Sequence, residues 1–127
     1  MDYLSAQQVL FINARLISET GGETGLLDLA LLEAAVARPR ATFDGKDLYP
    51  GLYEKAAALL DSLVNYHPFL DGNKRTGITS AALFLRINGV RMVCSQDEMV
   101  TFTLEVATLH PQIEKLSDWL RNHSRKI

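Results

Sequence analysis

The sequence predicts an all-α fold: a compact single-domain bundle of about six helices over residues 1–127, with a central buried helix and one short hairpin flap. Three observations carry that expectation. Apolar residues recur at three- and four-residue intervals through most of the chain. Helix-opening caps and helix-closing glycines and prolines punctuate those intervals. A small hairpin or flap, marked by the Asp44-Gly45 turn signal between two short flanks that barely alternate, interrupts the series. The length of 127 residues is that of one domain, and such a chain buries roughly two thirds of its unfolded surface without needing disulfides or a structural metal.

The elements follow in order. Ser5-Ala-Gln-Gln8 has the capping-box pattern, and Val9, Ile12 and Leu16 continue it at helical spacing until Gly21-Gly22 ends the segment. A second helix starts at Asp28, runs through Leu31, Leu32 and Ala35, and stops before Pro39. Thr42–Asp47 reads as the hairpin. Leu52 to Asn65 is strongly amphipathic, with Leu52, Ala56, Leu59, Leu60, Leu63 and Val64 on one broad face; Pro68 forces it to end near His67. A loop over Pro68–Gly72 leads into a helix from about Asn73 to Asn88, stopped by Gly89. Its ten residues Thr76–Leu85 carry no charge, which predicts the central buried helix, and Gly77, Ser80, Ala81 and Ala82 would let neighbours approach closely. Val90–Val93 reads as a short extended stretch. Ser95-Gln-Asp-Glu98 is a second capping box for a helix to about Leu109, and Pro111 suits the first position of a last helix bearing Ile113, Leu116, Trp119 and Leu120. Arg121, Arg125 and Lys126 predict a solvated, frayed tail.

Composition narrows the function classes. Thirteen Lys and Arg against fifteen Asp and Glu leave a net charge of −2, which argues against a polyanion binder working by bulk charge and against direct nucleic-acid binding. One cysteine excludes an intrachain disulfide and a CxxC zinc site, so a reducing cytoplasm is the expected compartment. No secretory leader pattern opens the chain and no run approaches the ~18–20 apolar residues of a membrane span. Cys94, His110 and His123 match no catalytic or ligand spacing and read as packing or surface residues.

Chemistry concentrates in His67-Pro-Phe-Leu-Asp-Gly-Asn-Lys-Arg-Thr76, which gathers an imidazole, a carboxylate, an amide and two cations between two apolar helices. A helix N-terminus carries unpaired N–H groups and about half a positive charge, so it suits anionic oxygens. Gly72 and Asn73 permit the tight backbone of an anion nest, and Lys74 and Arg75 add full charges at the end where the macrodipole disfavours them. Two cations placed there imply something negative to hold, and phosphate is the natural candidate. Asp71 is placed to hold Mg²⁺ on phosphate oxygens. His67 would be a neutral base for an incoming hydroxyl; in isolation it would read as a helix-terminal histidine favoured by the dipole. Asn73 also suits an N-cap, and Phe69 a buried anchor of the loop.

The nine residues His67-Pro68-Phe69-Leu70-Asp71-Gly72-Asn73-Lys74-Arg75 resemble the Fic/Doc signature, His-Pro-Phe-x-Asp/Glu-Gly-Asn-Gly/Lys-Arg, at every position. The resemblance implies His67 as the base that deprotonates a target hydroxyl, Asp71 as the residue placing Mg²⁺ on nucleotide phosphates, and Gly72, Asn73 and Arg75 as the anion cradle. Two positions depart from the AMP-transferring members: Lys74 stands where these typically have Gly, and Ile78 where they have a second Arg. The lysine form resembles the Doc ("death on curing") branch. That implies a toxin of a toxin–antitoxin pair, a Mg²⁺- and ATP-dependent phosphotransferase associated with modification of translation elongation factor Tu. Some family members carry a self-blocking Ser/Thr-x-x-x-Glu-Gly/Asn pattern. Here Ser18, Thr20 and Ser95 are followed four residues on by Gly22, Thr24 and Met99, so restraint is expected from a separate antitoxin chain. Three alternatives remain at this point: AMP transfer by the same site, a catalytically idle binding module, and a metal-dependent nuclease, the last disfavoured by a single carboxylate and a net charge of −2.

Overall fold

Side-chain caps set where the helices begin. In the computed structural model, which describes residues 1–127, the Gln8 N–H donates to Ser5 Oγ (3.2 Å) and the Ser5 N–H to Gln8 Oε1 (2.8 Å), opening α1 (Ala6–Thr20). Asp28 accepts from the Leu31 N–H and opens α2 (Leu29–Ala37), which tightens into a 3₁₀ turn over Arg38–Arg40 around the buried Pro39. The hairpin follows as β1 (Thr42–Phe43) and β2 (Lys46–Asp47), joined by Asp44 (φ 54°) and Gly45 (φ 78°). Two consecutive left-handed residues make the turn whose twist matches paired strands, which is why Asp-Gly stands there. Then come α3 (Leu52–Asn65), α4 (Asn73–Ile87) and β3 (Val90–Met92). The Ser95–Glu98 capping box opens α5 (Gln96–Leu109), which is followed by α6 (Ile113–Asn122) and β4 (Ser124–Lys126).

One cluster of 21 buried apolar side chains runs from Leu4 to Leu120. Its centre is shared by α3, which packs on α2, α4, α5 and α6, and by α4, which buries Thr76, Gly77, Ile78, Ser80, Ala81, Phe84 and Leu85. Gly77 sets their separation: a Cβ there would lie 2.7 Å from Val64 Cγ2, inside contact distance, so only hydrogen fits between the helices. Trp119 of α6 is sandwiched between Phe102 of α5 and His123, with ring centroids 3.8 Å away on either side. No helix is long and apolar enough to cross a membrane.

Two local expectations are corrected. The tail is not frayed: β4 pairs antiparallel with β3, Val90 opposite Lys126, Arg91 opposite Arg125 and Met92 opposite Ser124. Stacking of His123 on Trp119 turns the chain back along β3, and backbone pairing then needs no apolar pattern in Ser124–Lys126. Pro111 is not the first helical residue; Gln112 is the N-cap of α6, because His110 (φ 48°) closes α5 in a left-handed turn that takes up the intervening chain. Burial, and then the Glu98 carboxylate, push the Cys94 thiol up, so it stays a protonated packing group.

The hairpin is fastened rather than hinged. Buried Lys55 of α3 donates to the Pro39 carbonyl (3.0 Å) and to Asp47 of β2 (3.2 Å). Arg38 links Tyr49 beyond the hairpin to Asp61 on α3.

Candidate active site

Pro68 ends α3 by disfavouring helical geometry in the residue before it, and His67, directly after the C-cap Tyr66, has the left-handed backbone (φ 52°) common at helix ends rather than the extended one usual before proline. The loop that follows is laced to the α1–α2 connection. Leu27 and Asp28 donate their N–H groups to the Pro68 carbonyl (2.8 and 3.2 Å), and Leu70 donates to the Gly25 carbonyl (2.9 Å). Phe69, 1% exposed, is driven into the core as expected. The Asn73 side chain closes the loop on itself, accepting from the Phe69 N–H (3.0 Å) and donating to its carbonyl (2.9 Å). Asn73 is therefore the first residue of α4 and a brace for the loop. The N-cap is Gly72, whose left-handed backbone (φ 76°) explains the glycine.

This arrangement leaves the start of α4 without a protein cap. The first helical bond is donated by Thr76 to the Gly72 carbonyl, and the N–H groups of Asn73, Lys74 and Arg75 have no acceptor in the chain. They border a cleft of about 330 Å³ lined by His67, Leu70, Asp71, Gly72, Asn73, Lys74 and Arg75. All six residues singled out from the sequence thus meet in one place. Three free N–H groups, a helix dipole and two cations could receive the oxygens of an anion such as phosphate. The His67 imidazole is exposed, and its Nδ1 lies 3.2 Å from the Asn65 carbonyl. With Nδ1–H donating there, Nε2 carries the lone pair needed to accept a proton.

Asp71 is held by two backbone donors: Gly72 N–H to Oδ1 (2.8 Å) and Glu23 N–H to Oδ2 (3.4 Å). No group of three or more His, Cys, Asp or Glu side chains exists to bind a metal alone. A single carboxylate fits Mg²⁺ that arrives on phosphates and keeps most of its waters.

Three contributors were not singled out in the sequence. Asn13 on α1 is buried and donates its amide to both the Asp71 carbonyl (3.0 Å) and Thr76 Oγ1 (3.0 Å), tying the loop to the first turn of α4. Its signal was present: it sits at core spacing between Val9 and Ile17, a polar residue on an apolar face. Gly22, read only as a helix stop, has φ 115°, and a Cβ there would lie 2.6 Å from Asp71 Oδ2. Thr20, at the end of α1, accepts from the Arg75 guanidinium. Beside the cleft runs a second, more apolar groove of about 430 Å³, which shares Lys74 and Arg75 and is walled by Leu16, Ile78, Met99 and Val100. The hairpin contributes no residue to the cleft.

The model of the Fic/DOC family matches residues 3–85, more than half of the chain and the whole of the cleft. The chain belongs to the Fic/DOC family. Among relatives, it is 48% identical over 96 residues to the "Toxin Doc" of Mycolicibacterium smegmatis, covering 76% of this chain and 72% of that protein. It is 33% identical over 121 residues to the "Protein kinase doc" of Escherichia phage P1, covering 95% and 94%. As a Fic/DOC protein, its family signature is the cleft itself, and the matched residues also take in Asn13, Thr20 and Gly22, which contact Asp71 and Arg75 from α1 and the turn after it.

Proposed function

We propose that this Fic/DOC protein is a toxin of a toxin–antitoxin pair that transfers the γ-phosphoryl group of Mg-ATP to a hydroxyl of a target protein in the cytoplasm. The observation that carries the reading is the convergence of an exposed imidazole, one carboxylate, three free helix N–H groups and two cations on a single cleft. The two relatives, one named a toxin and one a protein kinase, support it. In the proposed step the target oxygen forms a bond to the γ-phosphorus while the bond to the β–γ bridging oxygen breaks. ADP leaves, and the hydroxyl proton passes to His67 Nε2. Asp71 would hold Mg²⁺, which neutralises phosphate charge, while the N–H groups of Asn73–Arg75 with Lys74 and Arg75 stabilise the charge that shifts in the transition state.

Position 78 favours γ over α transfer. Ile78 is 6% exposed and walls the apolar groove, so position 78 itself supplies no cation to grip a distal phosphate. The acceptor we propose is elongation factor Tu, whose modification would halt translation, with a separate antitoxin as the restraint. Intact-mass analysis of elongation factor Tu after incubation with the protein and Mg-ATP tests this. A gain of roughly 80 Da supports phosphoryl transfer, roughly 329 Da means AMP transfer, and no gain overturns the choice of target. His67→Ala should abolish the gain and toxicity while leaving partner binding intact; a toxic His67→Ala chain would instead mark a binding module.

A further inference from the structure

Away from the cleft, the β3–β4 ribbon carries an unusual charge arrangement. The Ile127 N–H donates to the Gly89 carbonyl (3.0 Å) and the Val93 N–H to the His123 carbonyl (2.6 Å). Antiparallel alternation then directs the backbone groups of Arg91 and Arg125 at each other and those of Ser124 and Lys126 outward, along an edge of β4 that no strand pairs. Arg91 and Arg125 are directly opposite, so their side chains share a face, an arrangement that destabilises a strand pair. Arg86, Arg91, Lys126 and Ile127 line a hollow of about 300 Å³ beside them. All four cations are exposed and none enters an ion pair. Residues 86–94 and 123–127 contain no Asp or Glu, and Asp2, whose backbone bonds Asn88, pairs with none of the four.

Two ordinary causes explain part of this. Arg86 in the last turn of α4 complements the helix dipole, and charge on an edge strand discourages stray pairing. Neither accounts for two arginines placed face to face in a chain of net charge −2. We propose that the ribbon docks an acidic, extended segment of a protein partner, which adds as a third strand on β4 and sets a carboxylate opposite Arg125, on the face that Arg91 shares. The outward N–H groups of Ser124 and Lys126 supply main-chain bonds, and side-chain charge supplies selectivity. A nucleic acid is the poorer fit, because the chain is net acidic and the ribbon offers no free ring for bases; its one ring, His123, is stacked on Trp119.

The test is fluorescence anisotropy of the full chain with a labelled alternating Glu-Val octapeptide, compared with a mixed-sequence single-stranded RNA. Binding of the peptide should weaken between about 50 and 300 mM salt, and by about tenfold in Arg91→Gln/Arg125→Gln. The amides of Ser124 and Lys126 should gain protection from hydrogen exchange when the peptide is added. Because the substitutions relieve like-charge repulsion, the thermal midpoint should hold or rise, which separates a lost surface from a lost fold; Arg125→Glu, a single change, repeats the test. No peptide binding at low salt, binding indifferent to the arginines, RNA binding tighter than the peptide, or unchanged exchange at Ser124 and Lys126 each overturns the proposal. None of these readouts depends on the chemistry at His67.

Discussion

Replacing Gly22 by alanine probes how the α1–α2 connection controls the carboxylate at the cleft. The new Cβ would lie 2.6 Å from Asp71 Oδ2 and 3.2 Å from its Cγ, so the carboxylate must retreat by roughly 0.5–1 Å to reach ordinary contact distance. Retreat breaks its bond from the Glu23 N–H and turns the oxygens away from where phosphates would sit. Loss of a partner that orients a metal-holding carboxylate costs about 10–100-fold in metal affinity or activity. A side chain at φ 115° adds strain of about 1–3 kcal/mol. Gly21→Ala is the matched control, with φ 87° and nothing within 4 Å of the added carbon. Magnesium titrations of ATP-dependent label transfer, with urea melts of each chain, separate the two effects. Both variants should lose similar stability, while only Gly22→Ala should raise the half-saturating Mg²⁺ concentration by about tenfold or more. Equal magnesium requirements in the two variants would refute the account of Asp71.

Three further outcomes are expected. Gly77→Ala drives a methyl against Val64 Cγ2, costing about 1–3 kcal/mol of overpacking less the ~1 kcal/mol gained in helix propensity, and urea denaturation should show the net loss. Asn13→Ala leaves the Asp71 carbonyl and Thr76 hydroxyl short of a donor, lowering stability by about 1–3 kcal/mol; Asn13→Asp, similar in size but stripped of both donors, should be worse, and thermal melts rank the two. The backbone N–H of Ser95, then its hydroxyl, and the charge of His123 hold the Glu98 carboxyl below its usual range. A depressed carboxyl adds stability that is present above the unfolded value of roughly 4.3 and is lost as pH falls through the folded value. Glu98→Gln keeps an acceptor for Ser95 without the charge, so its stability, followed by urea melts from neutral to acid pH, should fall less steeply than that of the parent chain.

Local chemistry was legible in the sequence wherever the deciding contact is close along the chain. Ser5, Asp28 and Ser95 start helices through bonds three residues on, and Asp44-Gly45 makes its turn unaided. The cleft was legible for the same reason, since its lining is one run of sequence from His67 to Arg75. What could not be read depends on distance. Asn13 reaches the Asp71 backbone carbonyl across 58 positions, and the packing of Gly22 against the Asp71 carboxylate exists only after α1 folds under the loop. The strand at Ser124–Lys126 was hidden because its partner, not its own side chains, makes it a strand. Asn73 looked like a cap because its type suits one; the backbone put glycine there and turned the amide inward.

The lacing between Gly25–Asp28 and Pro68–Leu70 means that the family's most recognisable run of letters is not a portable cassette. Excise the opening third of the chain and every one of those letters survives in print. The floor under the carboxylate, the hydroxyl that steadies Arg75 and the rail along Pro68 would all be gone.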